Sequence, residues 1–170
     1  MVTIIIREAH EADAEQLLAH VHRILHEPVR TSPLAPDEFT LTLVQERQIL
    51  ADYASAANAV FLVAEVDGML VGELTCKGGT RQALRHAVTL GMSVRQEWRN
   101  RGVGSRLLEH AIAWAQQSGI VTRIELYVYA RNQAAIHLYE QFGFEIEGRR
   151  RRAIYQDGTY VDDLIMARLL

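Results

Sequence analysis

The sequence predicts a single α/β domain, of the mixed kind also classed as α+β, with helices on both faces of a mixed central β-sheet. Short β-branched segments alternate with longer segments whose apolar residues recur at helical spacing. Two Asp-Gly turns join neighbouring strand segments, which adds antiparallel pairs to the strand–helix units. The chain has 170 residues, 49% of them hydrophobic. This is enough for one core, so we expect one domain over residues 1–170.

The first half of the chain predicts a strand, two helices and a hairpin. All three prolines lie between residues 28 and 36, so they mark one shaped loop between the two helices. Asp67-Gly68 tolerates the positive φ of a hairpin turn and therefore joins two antiparallel strands. The predicted strands are 2–7, 60–66 and 69–76, and the predicted helices are 10–25 and 41–54.

The second half predicts two strand–helix units and a closing hairpin. Asn132 suits the N-cap of the second helix, and Gly143 suits its left-handed C-terminus. A turn near Asp157-Gly158 joins the last two strands. The predicted strands are 87–94, 124–128, 144–152 and 159–169, and the predicted helices run from 102 to 118 and from 132 to 142.

Charge and cysteine content limit the classes of binding partner and the cellular compartment that we expect. Lys+Arg 18 against Asp+Glu 21 gives a formal net charge of -3, so we expect no nucleic-acid partner and no membrane association. No apolar run reaches the ~18 residues that a membrane helix needs. The single cysteine, Cys76, excludes an internal disulfide and is expected to be a small buried strand residue. One unpaired cysteine suits a reducing compartment, so the predicted localisation is cytoplasmic.

The most informative segment is residues 94–105, which leaves one predicted strand and enters a helix near Gly102. Gly102 and Gly104 let the backbone approach a ligand closely. The first amide groups of a helix have no partners within it, and the helix dipole adds about half a positive charge there. Arg99 and Arg101 add further positive charge. We expect a phosphate group to bind here, although the same glycines would also suit a plain tight turn.

Two common nucleotide motifs do not match this segment. Gly-x-Gly-x-x-Gly would need glycine at Leu107, and the chain has no Gly-Lys-Ser/Thr sequence. Instead, Arg99-Asn100-Arg101-Gly102-Val103-Gly104 resembles the (Gln/Arg)-x-x-Gly-x-(Gly/Ala) signature of the GNAT superfamily of acetyl-CoA-dependent N-acetyltransferases. Residues 132–144 are similar to that family's Asn-x-x-Ala-x-x-x-Tyr-x-x-x-Gly-Phe segment. The two motifs cover the second half of the chain, and the first half carries no diagnostic motif.

The resemblance implies a GNAT-like fold, acetyl-CoA as co-substrate and no metal. The backbone amides of residues 100–105 would hold the pyrophosphate, and the strand end at residues 92–94 would pair with the pantetheine arm and polarise the thioester carbonyl. Tyr139 would protonate the departing thiolate, although without the motif its pattern indicates a core aromatic residue. The implied cofactor-binding residues are Met92, Ser93, Val94, Arg99, Asn100, Arg101, Gly102, Val103, Gly104, Ser105 and Asn132.

The sequence leaves the identity of the general base open. Some family members carry Glu five residues before the motif asparagine, where this chain has Tyr127. Glu125 lies two residues earlier on the same strand face, and Glu73 lies on the strand after the first hairpin. Both are candidate catalytic residues, and both are equally compatible with a solvent-exposed carboxylate. A water relay would need neither of them.

Two further clusters are weaker candidates. His22 and His26 lie one helical turn apart with His20 nearby, but two side chains leave a zinc site short of ligands, so we expect surface histidines and no metal. Residues 149–152 are four arginines in a predicted strand, where alternate residues point to opposite faces. We expect a solvated hairpin rather than a nucleic-acid contact. An arginine bordering the acceptor cleft would favour an acceptor with a carboxylate or phosphate.

The expected activity is transfer of the acetyl group of acetyl-CoA to a primary amine of a small molecule or amino acid, by direct attack on the thioester. The alternatives are a protein or peptide N-terminal acetyltransferase and a non-enzymatic acyl-CoA sensor. Tyr139 favours turnover, whereas the absence of an acid at Tyr127 leaves the sensor open. The expected partner is a small-molecule amine, and assembly into a homodimer is left open.

Overall fold

The computed structural model describes residues 3–170, which form one seven-stranded sheet and four α-helices. None of the described helices is long and apolar enough to cross a bilayer. The strands are β1 (Ile5–Glu8), β2 (Ala59–Val66), β3 (Met69–Gly78), β4 (Ala87–Val94), β5 (Arg123–Tyr129), β6 (Glu145–Gln156) and β7 (Thr159–Leu169). The helices are α1 (Ala14–Leu25), α2 (Leu43–Ser55), α3 (Val103–Gln117) and α4 (Gln133–Gln141).

The sheet is mixed, with the strand order β1-β2-β3-β4-β5-β7-β6. The two predicted hairpins, β2–β3 and β6–β7, are antiparallel as expected, and β1 and β7 also pair antiparallel with their neighbours. Among the described strands only β4 and β5 run parallel, because α3 carries the chain back across the sheet between them. This parallel pair divides the sheet into an amino-terminal and a carboxyl-terminal half.

Both faces of the sheet are buried by helices, as the sequence predicts. Strand β2 shows this most directly, because Val60 and Leu62 belong to one apolar cluster while Phe61 and Val63 belong to another. Alternate strand residues point to opposite faces, so each cluster occupies its own face. The larger cluster contains residues of α3 and α4, and the smaller one contains residues of α1 and α2. Strand β2 is therefore apolar on both sides.

Several element boundaries differ from the predictions for local reasons. Strand β1 begins at Ile5, and the predicted start at Val2 lies outside the described residues. Helix α1 begins four residues late because residues 11–13 form a 3-10 turn, in which the buried Asp13 accepts hydrogen bonds from Arg7 and from the His10 amide. Helix α2 begins at Leu43 because the side chain of Thr42 caps it.

The alternation expected for the arginines of β6 is wrong. Three residues, 151–153, face the single residue Asp162 between two regular pairs of the β6–β7 ladder. Arg152 has a φ of 54°, its amide donates to the Asp162 carboxylate at 2.8 Å, and Arg149 pairs with the same carboxylate. The bulge lets β6 resume pairing at Ile154, so the strand continues to Gln156 instead of ending at residue 152.

Candidate active site

A cleft opens where β4 and β5 separate. Their parallel pairing ends at Leu90 and Leu126, and the following residues of both strands line a cavity of about 390 Å³. Seven of the predicted cofactor-binding residues and Tyr139 share this lining; the seven are Met92, Ser93, Val94, Arg99, Asn100, Gly104 and Asn132. The topology thus brings the two sequence motifs to one place, at the carboxyl ends of the parallel pair β4–β5.

The end of β4 directs main-chain amides toward the cleft. The amide of Arg95 donates to the Val71 carbonyl of β3 at 3.0 Å. Because the amides of successive strand residues point to opposite sides, those of Val94 and Met92 are directed away from β3 and toward the gap. The carbonyl of Val94 already accepts from Arg99 Nε at 2.9 Å on that side. The Val94 and Met92 amides are the groups that a bound peptide-like arm could pair with.

The N-terminus of α3 forms the second part of the cleft. Asn100 and Gly102 both have positive φ angles, 59° and 81°, which turn the chain sharply into the helix. Among the described residues no side chain caps α3, so the amides of its first turn have no partners within the helix. A Cβ at Gly104 would lie 3.1 Å from a side-chain methyl of Leu138 on α4, so the absence of a side chain here permits the two helices to pack closely. Gly102 therefore serves the turn into α3, and Gly104 serves the packing of α3 against α4.

Three predicted cofactor-binding residues at the N-terminus of α3 lie beside the cavity rather than in its lining. Val103 is only 1% exposed and packs in the core, so its amide alone can reach a ligand. Ser105 is partly exposed in the first turn of α3. Arg101 is exposed, with its guanidinium 5.2 Å from the centre of the Trp98 ring. None of these three side chains lines the cavity itself.

The positive field expected at this mouth is partly neutralised. Arg99 forms an ion pair with Glu27, a residue 72 positions earlier whose side chain is 8% exposed. Glu27 also accepts from the Gln96 amide at 3.0 Å. Arg106 is turned away and donates to the Ile4 carbonyl at 2.8 Å. Arg101 is therefore the arginine of this segment that is best placed to approach a phosphate from solvent.

Tyr139 and Asn132 place the second motif against the cleft. Tyr139 is 7% exposed and lines the cavity, while its ring packs against Phe144 with 5.6 Å between ring centres. Burial raises the pKa of its hydroxyl to about 12. Asn132 Oδ1 accepts from the Ala135 amide at 3.2 Å, so it caps α4 as predicted. Tyr139 is thus both a core aromatic and a residue of the cleft.

Glu73 contacts the cleft through Ser93. The two residues lie opposite each other on β3 and β4, and Ser93 Oγ donates to Glu73 Oε1 at 3.2 Å. The side chain of Glu73 is only partly exposed, and burial raises the pKa of its carboxyl to about 7. The hydrogen bond from Ser93 opposes that rise. A carboxyl with this pKa can exchange a proton near neutral pH.

Glu125 lies in a different environment. It accepts from Arg123 Nε at 3.1 Å, and Arg123 also pairs with Glu147. It does not line the cavity, because it precedes the point where β4 and β5 separate. Tyr127 does line the cavity, and the Arg150 guanidinium lies 4.4 Å from the centre of its ring while pairing with the buried Asp163. Neither carboxylate lines the cavity, but Glu73 accepts from the lining residue Ser93, whereas Glu125 accepts from Arg123.

A family model described as "Acetyltransferase (GNAT) family" matches residues 21–144 of the chain. The chain belongs to the GNAT acetyltransferase family. The predicted resemblance, the fold class and the enzyme class, an acetyl-CoA-dependent N-acetyltransferase, are confirmed at the level of this family. The match begins within α1 and ends just after α4, so it includes every element that lines the cleft.

Three relatives show how far the similarity extends. The L-amino acid N-acetyltransferase AaaT of Escherichia coli (strain K12) is 34% identical over 165 residues, which cover 92% of this chain and 99% of that protein. The crystal structure of a GNAT-family acetyltransferase from Streptococcus pneumoniae has a TM-score of 0.95 at 37% identity, covering 99% of this chain and 100% of that one. The ribosomal protein bS18-alanine N-acetyltransferase of Salmonella typhimurium is 39% identical over 89 residues, covering 52% of this chain and 59% of that protein.

The sequence analysis assigned no role to Glu27 or Arg95 beside the GNAT cleft, and its expectation of a surface histidine is wrong for His20. His22 and His26 are exposed as predicted, but His20 is fully buried. Its spacing from Leu17 and Ile24 on the apolar face of α1 was the available signal. The partners of Glu27 and Arg95 lie far away in the chain, so no local sequence pattern indicates these contacts. Among residues 3–170 no three metal-ligating side chains cluster together.

Proposed function

We propose that this chain acetylates the amino group of a free amino acid or a comparably small primary amine, with acetyl-CoA as donor and without a metal ion. The observation that carries the proposal is the cleft between β4 and β5, where free strand amides, the uncapped N-terminus of α3 and Tyr139 meet. The relative from Escherichia coli named for L-amino acids matches nearly the whole chain and supports the acceptor class.

The cleft residues fit acetyl-CoA, which supplies an acetyl group activated as a thioester. The left-handed residues Asn100 and Gly102 and the amides of residues 103–105 make an anion-binding concavity suited to the pyrophosphate. The amides of Met92 and Val94 suit the pantetheine arm. Asn132 uses its side-chain oxygen as a cap, so its amide nitrogen is the group available to that arm.

Three groups of this chain would each assist one part of the acetyl transfer. Attack by a neutral amine places negative charge on the carbonyl oxygen, which a free amide of β4 would stabilise. Tyr139 holds a proton at Oη for the departing sulfur, since a pKa of about 12 keeps the phenol protonated at neutral pH. Glu73 would accept the amine proton, because its pKa of about 7 leaves a substantial ionised fraction at neutral pH.

The segment between α1 and α2 favours a small acceptor over a peptide. Glu27 ties it to the β4 side of the cleft through Arg99 and Gln96. On the other side, Arg30 pairs with Asp157, and the Ser32 carbonyl accepts from Gln156 at 2.8 Å. Val29 and Thr31, which lie within this span, line the cavity. A segment held at both sides covers the cleft and leaves less room for an extended chain.

A coupled-assay screen of thiol release tests the proposal. Purified protein and acetyl-CoA are mixed with free amino acids, with the same amino acids N-acetylated as controls, and with peptides that have a free amino terminus. We expect turnover with one or more free amino acids and at least ~10-fold lower kcat/KM with peptides. Turnover with peptides alone would replace the proposal with N-terminal acetylation. Thermal stabilisation by acetyl-CoA without any turnover would favour the sensor.

Two further expectations accompany the proposal. The buried, unpaired Cys76 suits a reducing compartment, so we propose a cytoplasmic location, which imaging of a tagged chain would test. A homodimer stays a prediction, and sedimentation of the purified chain at micromolar and millimolar concentration would test it.

A further inference from the structure

Four polar side chains, from α1, β3, β4 and the turn that follows β4, form a continuous hydrogen-bonded row beneath the cleft. Arg95 Nε lies 3.5 Å from His20 Nδ1, His20 Nε2 lies 2.8 Å from Ser93 Oγ, and Ser93 Oγ lies 3.2 Å from Glu73 Oε1. His20 is fully buried and Arg95 is 8% exposed. Such groups are rarely placed in an apolar interior unless their hydrogen bonds are satisfied, so the row is a built feature of the fold.

The hydrogen bonds of this row all run from donor to acceptor in one direction, from Arg95 toward Glu73. A guanidinium can only donate, so Arg95 requires His20 Nδ1 to be the acceptor, which leaves the proton of a neutral imidazole on Nε2. His20 Nε2 then donates to Ser93 Oγ, and the hydroxyl proton of Ser93 points to Glu73. Burial, Arg95 and Arg23 lower the pKa of His20 to about 4, so the ring is neutral at neutral pH.

We propose that His20 is a positioning residue that acts through Ser93 to keep a hydrogen-bond donor on the Glu73 carboxylate. With the imidazole donating to its oxygen, the Ser93 hydroxyl is held with its proton toward Glu73. Without His20, the hydroxyl is free to rotate and to accept from other groups. The catalytic consequence rests on the proposed role of Glu73 as general base, whereas the hydrogen-bonded state of Glu73 does not.

The surroundings of Glu73 make this donor important. Helix α2 presents Glu46 and Tyr53, and the negative charge of Glu46 raises the pKa of Glu73 in the same direction as burial. Strand β4 presents Ser93, whose hydrogen bond lowers that pKa. His20 from α1 is neutral, so it affects Glu73 by orienting Ser93 rather than by charge. Loss of the donor would leave more of Glu73 protonated, and therefore inactive as a base, at pH 7.

The test measures the titration of Glu73 directly. Carboxyl ¹³C NMR of glutamate-labelled protein, assigned with Glu73→Gln, gives the pKa, and ¹⁵N shifts of His20 give its tautomer. We expect the Nε2–H tautomer in the wild type. Ser93→Ala should raise the Glu73 pKa by about one unit, and His20→Leu by a smaller amount. His20→Gln, which keeps an N–H donor, should restore most of the wild-type value, and His22→Leu on the exposed face should leave it unchanged.

A double variant separates positioning from general packing. Because His20 acts through Ser93, His20→Leu should add no further rise in a Ser93→Ala background. An Nδ1–H tautomer, an unchanged Glu73 pKa in Ser93→Ala, or a full additional rise in the double variant would each overturn the proposal. The acidic limb of kcat/KM is measured on the same proteins. Shifts seen by NMR without a parallel shift in kcat/KM would keep the positioning role and remove Glu73 as the base.

Discussion

Tyr139 shows that a single side chain can belong to the core and to the cleft. Its ring packs against Phe144 in the main apolar cluster, while the residue also lines the cavity. The packing that raises its pKa also restricts where its hydroxyl can point. Rigid support from the core is what a proton donor needs in order to meet a departing sulfur in the correct geometry.

Replacement of Tyr139 by Phe tests the proton-donor role. We expect kcat to fall by ~10²-fold with the affinity for acetyl-CoA nearly unchanged, because the ring and its packing remain. In the wild type the phenol stays protonated below about pH 10, so Tyr139 produces no falling basic limb in that range. Initial rates and calorimetric binding measure the two quantities. An unchanged kcat would return Tyr139 to a purely structural role.

Glu73 and His20 are expected to give opposite pH dependences of stability. The pKa of Glu73 is raised from 4.5 to about 7 by folding, so its contribution is present below pH 4.5 and is lost as the pH rises to 7. The pKa of His20 is lowered from 6.5 to about 4, so its contribution is present above pH 6.5 and is lost as the pH falls to 4. The two slopes oppose each other between pH 4.5 and 6.5.

Melting temperatures of single variants across this pH range separate the two contributions. The Tm of Glu73→Gln relative to wild type should rise with pH, and that of His20→Leu should fall with pH. His22→Leu, on the exposed face of α1, serves as the control with a constant difference. Parallel curves for Glu73→Gln and wild type would mean that Glu73 titrates normally in the folded protein.

At the scale of elements, helix α3 has matched glycines at its two ends. Gly102 at the amino end has a φ of 81° and Gly119 beyond the carboxyl end has a φ of 66°, and a Cβ at either position would meet no neighbour within 4 Å. A side chain at either site therefore carries a similar backbone penalty of about 1 kcal/mol. Only Gly102 lies where a phosphate is expected to bind.

Gly102→Glu and Gly119→Glu form a matched pair for testing the phosphate site. Both should lower the Tm by about 2–4 °C, as expected for about 1 kcal/mol in a domain of this size. Acetyl-CoA should still raise the Tm of Gly119→Glu as it does that of the wild type. It should not stabilise Gly102→Glu, because a carboxylate would occupy the anion site. Equal stabilisation of both variants would place the pyrophosphate elsewhere.

At the scale of the whole molecule, the two halves of the sheet are joined above the cleft by the segment between α1 and α2. Glu27 binds the β4 side, and Arg30 binds Asp157 in the β6–β7 turn. The Arg30 carbonyl also accepts from Arg131. Because β4 and β5 no longer pair at this level, these polar contacts form a bridge between the two halves of the sheet there.

Arg30→Gln tests this connection. Asp157 is 65% exposed, and pairs with an exposed partner contribute about 0–1 kcal/mol, so the Tm should change by no more than a few degrees. Amide exchange in residues 28–34 should become faster, and the KM for the acceptor should rise several-fold. Arg149→Gln removes a pair confined to the β6–β7 hairpin and serves as the control. Unchanged exchange in both variants would show that the segment is held without Arg30.

The order of elements, the antiparallel hairpins and the cofactor motifs were all accessible from the sequence. These features depend on residues close together in the chain, such as the Asp-Gly turns, the cap at Asn132 and the glycines at 102 and 104. Local spacing determines local structure, because helix caps and turns are decided by a few neighbouring side chains. The two motifs together were sufficient to indicate the family before any fold was visible.

Only the tertiary structure decided which acid contacts a residue of the cleft lining and how charges near the cleft are balanced. Glu73 and Glu125 were equivalent in sequence, yet β-sheet register places Glu73 beside Ser93 and leaves Glu125 with Arg123. The Glu27–Arg99 pair and the His20–Ser93 contact join residues more than 70 positions apart. Such contacts depend on long-range packing, which periodicity does not encode, so their chemistry becomes visible only once the sheet and its covering helices are assembled.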